Sequence, residues 1–434
     1  MTVRTAMLAA GMLLIAATAH PLRAQTSRDS SSQIALTGVT LIDGTGHAPE
    51  RNETILTKGE RIVAVFPDGA HPLPAGVTVL KLTGRFVIPG LIDSHVHIAT
   101  DPSGEDNRLR TERRLRKALL GGVTTVRDMA GDTRALASLQ RDALLGEIES
   151  PDIYFAALFS GPAFFADPRT HAAARGAVAG QVPWMRAITD TTDIHQAVAE
   201  ARGTGATAIK LYAELNGDLA RRITTEAHAQ GLMVWAHASL TIAMPMDVVT
   251  AGADAISHAP LLARAMDSTD YRAALHAPAS ARLDIRNAKL DAVLREMIRR
   301  HTVFEPTLFI FQAEEPSVSP LGAAVTRRAH ELGVTIIAGT DTLGDADSDQ
   351  LTLPYLHNEL ALLVSVGGLN TAEALASATR NAAAVVGAES SIGTIEPGKL
   401  ADIVVLRSDP LRDIRNTRSI ELVIKRGRVY RRQG

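Results

Sequence analysis

Residues 89–98 read Pro89-Gly-Leu-Ile-Asp-Ser-His-Val-His-Ile98. The stretch is apolar until it delivers His95 and His97 two residues apart. On a β-strand alternate side chains share a face, so both imidazoles point to the same side. Two neutral imidazoles converging on one face begin a divalent-metal site. With fourteen histidines in the chain, a single His-x-His pair carries little weight by itself. Its weight comes from downstream, where Lys210, His237, His258 and Asp341 each close a further apolar run.

Eight such runs follow one another: Leu91–Ile98, Val123–Arg127, Ile153–Leu158, Ala208–Tyr212, Met233–His237, Ala255–His258, Val303–Leu308 and Thr335–Gly339. Helical stretches separate them. Gly217–Gly231 is one, amphipathic and closed by a glycine. Alternation of apolar strands with crossover helices predicts a parallel sheet, and eight units predict a (β/α)8 TIM barrel. An open doubly wound sheet is the alternative, but no Gly-x-Gly-x-x-Gly fingerprint opens the first unit. Two connections are long. Residues 159–192, after the third strand, carry Phe164, Phe165, His171 and Trp184 and predict a substrate lid; residues 260–287 follow the sixth.

The ends of the chain read differently. Ala35–Ile42 and Arg61–Phe66 are β-like, with turns at Asp43-Gly44 and Asp68-Gly69. Asp402–Leu406 and Ile420–Lys425 are β-like again, and Arg426-Gly427 turns the chain toward Val429-Tyr430. The expectation is a small β-sandwich from residues 25–86 and 386–434 around a barrel of residues 87–385. Residues 1–24 read as a signal peptide: Arg4, an apolar segment over 6–19, Pro21, and the small residue Ala24 at the cleavage point. Export to the periplasm or medium is expected. Cleavage takes the formal charge from −2 to −4, since Arg4 and Arg23 leave and no acid does.

Composition narrows the function. At 46% hydrophobic residues the 434-residue chain can bury a large core. With no cysteine, disulfides, thiolate metal sites and a lipid-modified cysteine are excluded. A near-neutral balance, no basic stripe and no aromatic stacking series argue against nucleic acid. No stable membrane anchor is expected. A small-molecule substrate is, and a homo-oligomer is compatible.

In a (β/α)8 barrel the chemistry collects at the C-terminal ends of the strands. His95, His97, His237, His258 and Asp341 are donors suited to a divalent cation, and Lys210 would join them only after modification. At this point the sequence resembles the amidohydrolase superfamily, in a branch similar to imidazolonepropionases and dipeptidases. The resemblance rests on Val87-Ile-Pro-Gly-Leu-Ile-Asp-Ser-His-Val-His97, Gly122-Val-Thr-Thr-Val-Arg-Asp128, Ala338-Gly-Thr-Asp341 and Gly393-Thr-Ile-Glu-Pro-Gly-Lys-Leu-Ala-Asp402.

The resemblance implies two divalent cations, zinc being the first expectation. His95, His97 and Asp341 would hold the buried one, and His237 and His258 the more exposed one. Lys210 would bridge them as a carbamate formed with carbon dioxide. Asp341 would accept a proton from the attacking water, and the Tyr212 hydroxyl is a candidate for binding a substrate oxygen. The expected reaction is cleavage of an amide or peptide-type C–N bond in a dipeptide or N-acyl amino acid. Alternatives are a lactonase or phosphotriesterase, a mononuclear deaminase, or a binding protein without catalysis. Two departures stand out. No Ser-Gly-Gly insertion follows Lys210, the chain running through Ala213-Glu-Leu-Asn-Gly217 into the helix, and Ser257 precedes His258 where an acid is more usual. Arg127 and Asp128 are expected to form a structural ion pair, and Glu305 to be structural.

Overall fold

The computed structural model describes residues 32–99, 107–276, 278, 283–345 and 350–432. The expected signal peptide and its cleavage point at Ala24 lie outside the described residues, as does part of the connection after the sixth strand.

Parallel strands Leu91–Val96, Val123–Asp128, Asp152–Ser160, Ala208–Leu211, Met233–His237, Ala255–Ser257 and Val303–Glu305 pair in that order. Helices Arg108–Leu120, Thr133–Leu145, Ile194–Gly203, Gly217–Ala229, Pro245–Ala251, Ala288–Arg300 and Ser319–Leu332 lie between successive strands or follow the last. The eighth run is reduced. Only Ile336 bridges Phe304 in parallel, while the amide of Ser94 donates to the carbonyl of Ala338 at 3.0 Å. This segment therefore stands between the seventh and first strands and closes the barrel. The strands are buried on both sides, as a parallel sheet wrapped in helices requires. The helix expected from Gly217 starts there, because Asn216 caps it by accepting from the amide of Leu219 at 2.9 Å.

Both chain ends meet in a second, eight-stranded mixed sheet. Strand Ile403–Leu406 runs antiparallel to Phe86–Pro89, and Ile420–Lys425 continues the sheet. Leu36, Ile55, Val87, Ile403, Val405 and Leu422 are among its buried core. Two strands of this sheet carry no clear alternation in the sequence: Glu50–Lys58, which is charged towards both ends, and the four-residue Thr78–Lys81. Gly90 alone separates the last N-terminal strand of this sheet from the first barrel strand. A Cβ on Gly90 would lie 2.1 Å from the Thr124 hydroxyl oxygen, so only glycine lets the second barrel strand pass so close.

The connection after the third strand is ordered around secondary structure of its own. It forms a short 3-10 turn, Pro162–Ala166, a helix, Pro168–Ala173, and a hairpin, Gln181–Val182 with Met185–Ala187. The second hairpin strand pairs in parallel with the end of the third barrel strand, Met185 opposite Leu158. Among the described residues no helix is long and apolar enough to cross a membrane.

Candidate active site

The first strand sets the two leading histidines. His95 is buried and His97 lies just past the strand end, half-buried. Their Nε2 atoms each stand 3.1 Å from Asp341 Oδ1. These three groups offer ligand atoms within 4.8 Å of one another, the spacing of a shared cation. His258 follows the sixth strand, its ring centroid 5.0 Å from that of His95 and 4.8 Å from that of His237. Lys210 ends up among them, and its charge acts on His237 and His258. His258 (φ 79°) and Asp341 (φ 59°) both occupy the left-handed backbone region. Such conformations cost about 1–3 kcal/mol and collect at functional sites.

The electrostatics favour a cation. Asp341 is held well below the usual carboxylate range: burial opposes ionisation, but the adjoining His95 and His97 outweigh it. Burial pushes His237 well below its ordinary value, and His258 down to about 3. These imidazoles keep lone pairs for a ligand. Burial also lowers Lys210 to about 7. Its Nζ is buried without a hydrogen-bond partner. An unpartnered buried amine is costly, and the cost is relieved if the nitrogen carries a group that binds cations. The donor set of His95, His97 and Asp341 thus fits a divalent cation.

A second layer holds these groups. His95 Nδ1 donates to Glu305 Oε2 at 2.8 Å. Glu305 also accepts from both Arg127 and Ser257. The expected pairing of Arg127 with Asp128 is not what forms. Neighbours on a strand face opposite ways, so Arg127 turns inward to Glu305 and lies over the Trp235 ring at 4.5 Å. Asp128 instead accepts from the amides of Ile98 and Ala130, fixing the loop past His97. Asp93 accepts from the amide and hydroxyl of Thr340, tying the Asp341 segment to the first strand.

Above the cluster opens a cavity of about 950 Å³, with His97, His237, His258 and Asp341 in its wall. Tyr212 lines it, its ring 4.1 Å from that of His237 and 4.5 Å from that of Phe164. Arg169 lines the same cavity beside Tyr212. The three lid residues singled out in the sequence separate here. Phe164 lines the cavity, whereas His171 and Trp184 do not. Trp184 is buried, donating to the Ala173 carbonyl at 2.9 Å with Arg134 stacked on its ring, so it pins this connection. His171 is exposed. The sequence reading missed the arginines of this wall, Arg108, Arg110, Arg114, Arg134, Arg169 and Arg175. The density of arginine in Arg108-Leu-Arg-Thr-Glu-Arg-Arg-Leu-Arg116 was the available signal.

A family profile, that of the amidohydrolase family, matches residues 86–430. The chain belongs to the amidohydrolase family. Within that family it is similar to the imidazolonepropionase of Symbiobacterium thermophilum, 37% identical over 114 residues, 26% of each chain. The match thus spans about a quarter of that relative's length. It is also similar to the ochratoxinase of Aspergillus niger, 25% identical over 96% of this chain and 90% of that one. Among solved structures, a candidate prolidase from Bifidobacterium longum superimposes with a TM-score of 0.70 at 26% identity, covering 93% of this chain and 95% of the other.

Proposed function

We propose that this amidohydrolase-family chain is a metal-dependent hydrolase that cleaves an amide or peptide-type C–N bond in a small substrate. The observation that carries the reading is the meeting of His95, His97, His237, His258 and Asp341 around the unpartnered Lys210 Nζ, at the floor of an open cavity. His95, His97 and Asp341 would hold one divalent cation, zinc in the first instance, and His237 and His258 a second. Lys210 would join them as a carbamate: its nitrogen lone pair bonds to the carbon of carbon dioxide, and one proton leaves to solvent. Bound cations supply activation of water and polarisation of the scissile carbonyl. Asp341 takes the proton of the attacking water at its carboxylate and returns it to the departing amine. Tyr212 and Arg169 offer donors to the substrate oxygen, and Phe164 gives an apolar wall. Export of the mature chain belongs to the same reading and is supported by the apolar segment 6–19 with its flanking residues.

The arginines of the wall support substrates that bring a carboxylate, as dipeptides and N-acyl amino acids do. The names of the relatives, an imidazolonepropionase, an ochratoxinase and a prolidase, are compatible with that class. A second reading, a mononuclear deaminase, is favoured by one observation: among the described residues only His95, His97 and Asp341 meet the spacing for one shared ion. Two measurements decide. Metal analysis of the purified mature protein is expected to give two divalent ions per chain, and one at saturation would favour the deaminase. A screen of the zinc-loaded protein against dipeptides, N-acyl amino acids, lactones and phosphotriesters is expected to find turnover on the amides. Turnover confined to lactones or phosphotriesters would overturn the amide assignment.

A further inference from the structure

Glu305 is fully buried, yet it meets three polar partners from three other strands. Its Oε2 accepts from His95 Nδ1 at 2.8 Å on the first strand and from Ser257 Oγ at 2.7 Å on the sixth. Arg127 Nη2, from the second strand, donates to both carboxylate oxygens at 2.9 Å. A carboxylate flanked this way cannot donate, so His95 carries a proton on Nδ1, which leaves Nε2 as the atom it can offer to a cation. Nε2 is the atom facing Asp341.

The surroundings are built for this side chain. A Cβ on Gly339 would sit 2.4 Å from Glu305 Oε1 and 2.7 Å from His95 Cβ. Glycine at 339 leaves the space in which Glu305 reaches beneath His95. Ser257 and Glu305 are register partners on neighbouring parallel strands, and their side chains enter the same inner space.

We propose that Glu305 is a positioning residue for the metal site, fixing the tautomer and orientation of His95. We propose further that the role belongs to the space between the strands rather than to the position, so that a carboxylate carried at 257 can perform it. The proposal rests on the metal-site reading given above.

The test is zinc affinity of the full mature protein, measured by competition with a coloured chelator. Turnover is not the readout, so an unexpected substrate leaves the test intact. If the wild-type protein binds no zinc, it is the metal-site reading that fails, which separates the two. Glu305→Ser is expected to weaken zinc binding by about 10–100-fold. The exchange variant Glu305→Ser with Ser257→Glu is expected to recover to within tenfold of wild type. Nitrogen-15 NMR of the imidazoles should place the His95 proton on Nδ1 in wild type and in the exchange variant. A folded Glu305→Ser protein with wild-type affinity would overturn the proposal. If that variant does not fold, the exchange variant alone decides. A folded exchange protein more than tenfold weaker than wild type, or with the His95 proton on Nε2, overturns it too.

Discussion

Two lysines are buried among the described residues, and they are treated in opposite ways. Lys425 lies at the base, where the C-terminal sheet meets the third strand. Its Nζ is 2.7 Å from Asp152 and 2.8 Å from Asp402. Burial would lower it, but those two acids raise it above the ordinary lysine value. Arg426 beside it reaches both Asp152 and Glu60. Lys210 lies at the other end, equally buried, with no partner for its Nζ and lowered to about 7. The base of the barrel satisfies its charges and joins two domains. The top leaves an amine unsatisfied, the kind of orphaned group that marks a candidate binding site.

The largest effect expected from this contrast is on Lys210. Lys210→Met should lose metal and turnover together, while the melting temperature of the chelated protein stays level or rises, because no stranded partner remains. Elemental analysis and calorimetry check both halves, and a variant that keeps two metals and normal turnover shows that Lys210 is no bridge. Asp341→Asn sharpens the top of the barrel further. The amide oxygen can still ligate but cannot take a proton, so kcat should fall by about 10²–10⁴-fold with much of the metal retained. A metal-replete variant with wild-type kcat would send the proton elsewhere.

Lys425→Met should give the reverse profile. It leaves the buried Asp402 without its counter-charge, while Arg426 still holds Asp152, and should cost about 3–5 kcal/mol in denaturant unfolding, with metal stoichiometry unchanged in the folded fraction. A loss under about 1 kcal/mol would erase the distinction between the lysines.

A smaller effect concerns a third buried base, His357, which meets the Thr417 hydroxyl and the Gly121 carbonyl, both at 2.9 Å. Burial holds it down at about 4 against an ordinary 6.5. The unfolded chain therefore takes up the proton first, and the contribution is complete above pH 6.5 and lost as pH falls toward 4. The loss is at most about 3 kcal/mol. Unfolding free energies of wild type and His357→Gln across that window should converge at the acid end. Curves that stay parallel would show that His357 does not set the slope.

The smallest effect is at the lid. Phe164→Ala should change the ratios of kcat/KM among amide substrates by about 10-fold or less, and Trp184→Ala should act through stability instead. Equal ratios in both variants would remove Phe164 from substrate choice.

Much of this arrangement could be read from the sequence because it is local. A strand that ends in His95 or His237 declares both its geometry and its ligand in a few residues. Two kinds of feature could not be read. Glu305 meets Arg127 across 178 residues and His95 across 210, and no spacing encodes such a meeting. Its identity as the partner of Arg127 required the barrel to close. Conversely, Glu50–Lys58 hides its strand because its charged ends break the alternation, and only pairing with the strands on both sides declares it. The lid aromatics misled in a third way. Phe164 and Trp184 look alike in sequence, but only packing decides which ring faces the cavity and which one anchors the loop.

Gly90 leaves no slack between the small sheet and the strand that carries His95 and His97. Its amide donates to the carbonyl of Asp402, and the next amide, of Leu91, to that of Gly122. The chain passes from one domain to the other while bonded to both. Whatever is gained by ligands gathering at the top of the barrel is therefore felt by a sheet that never touches them. Melting should be a single cooperative event, and its midpoint should climb with zinc concentration across the whole molecule rather than across the barrel alone.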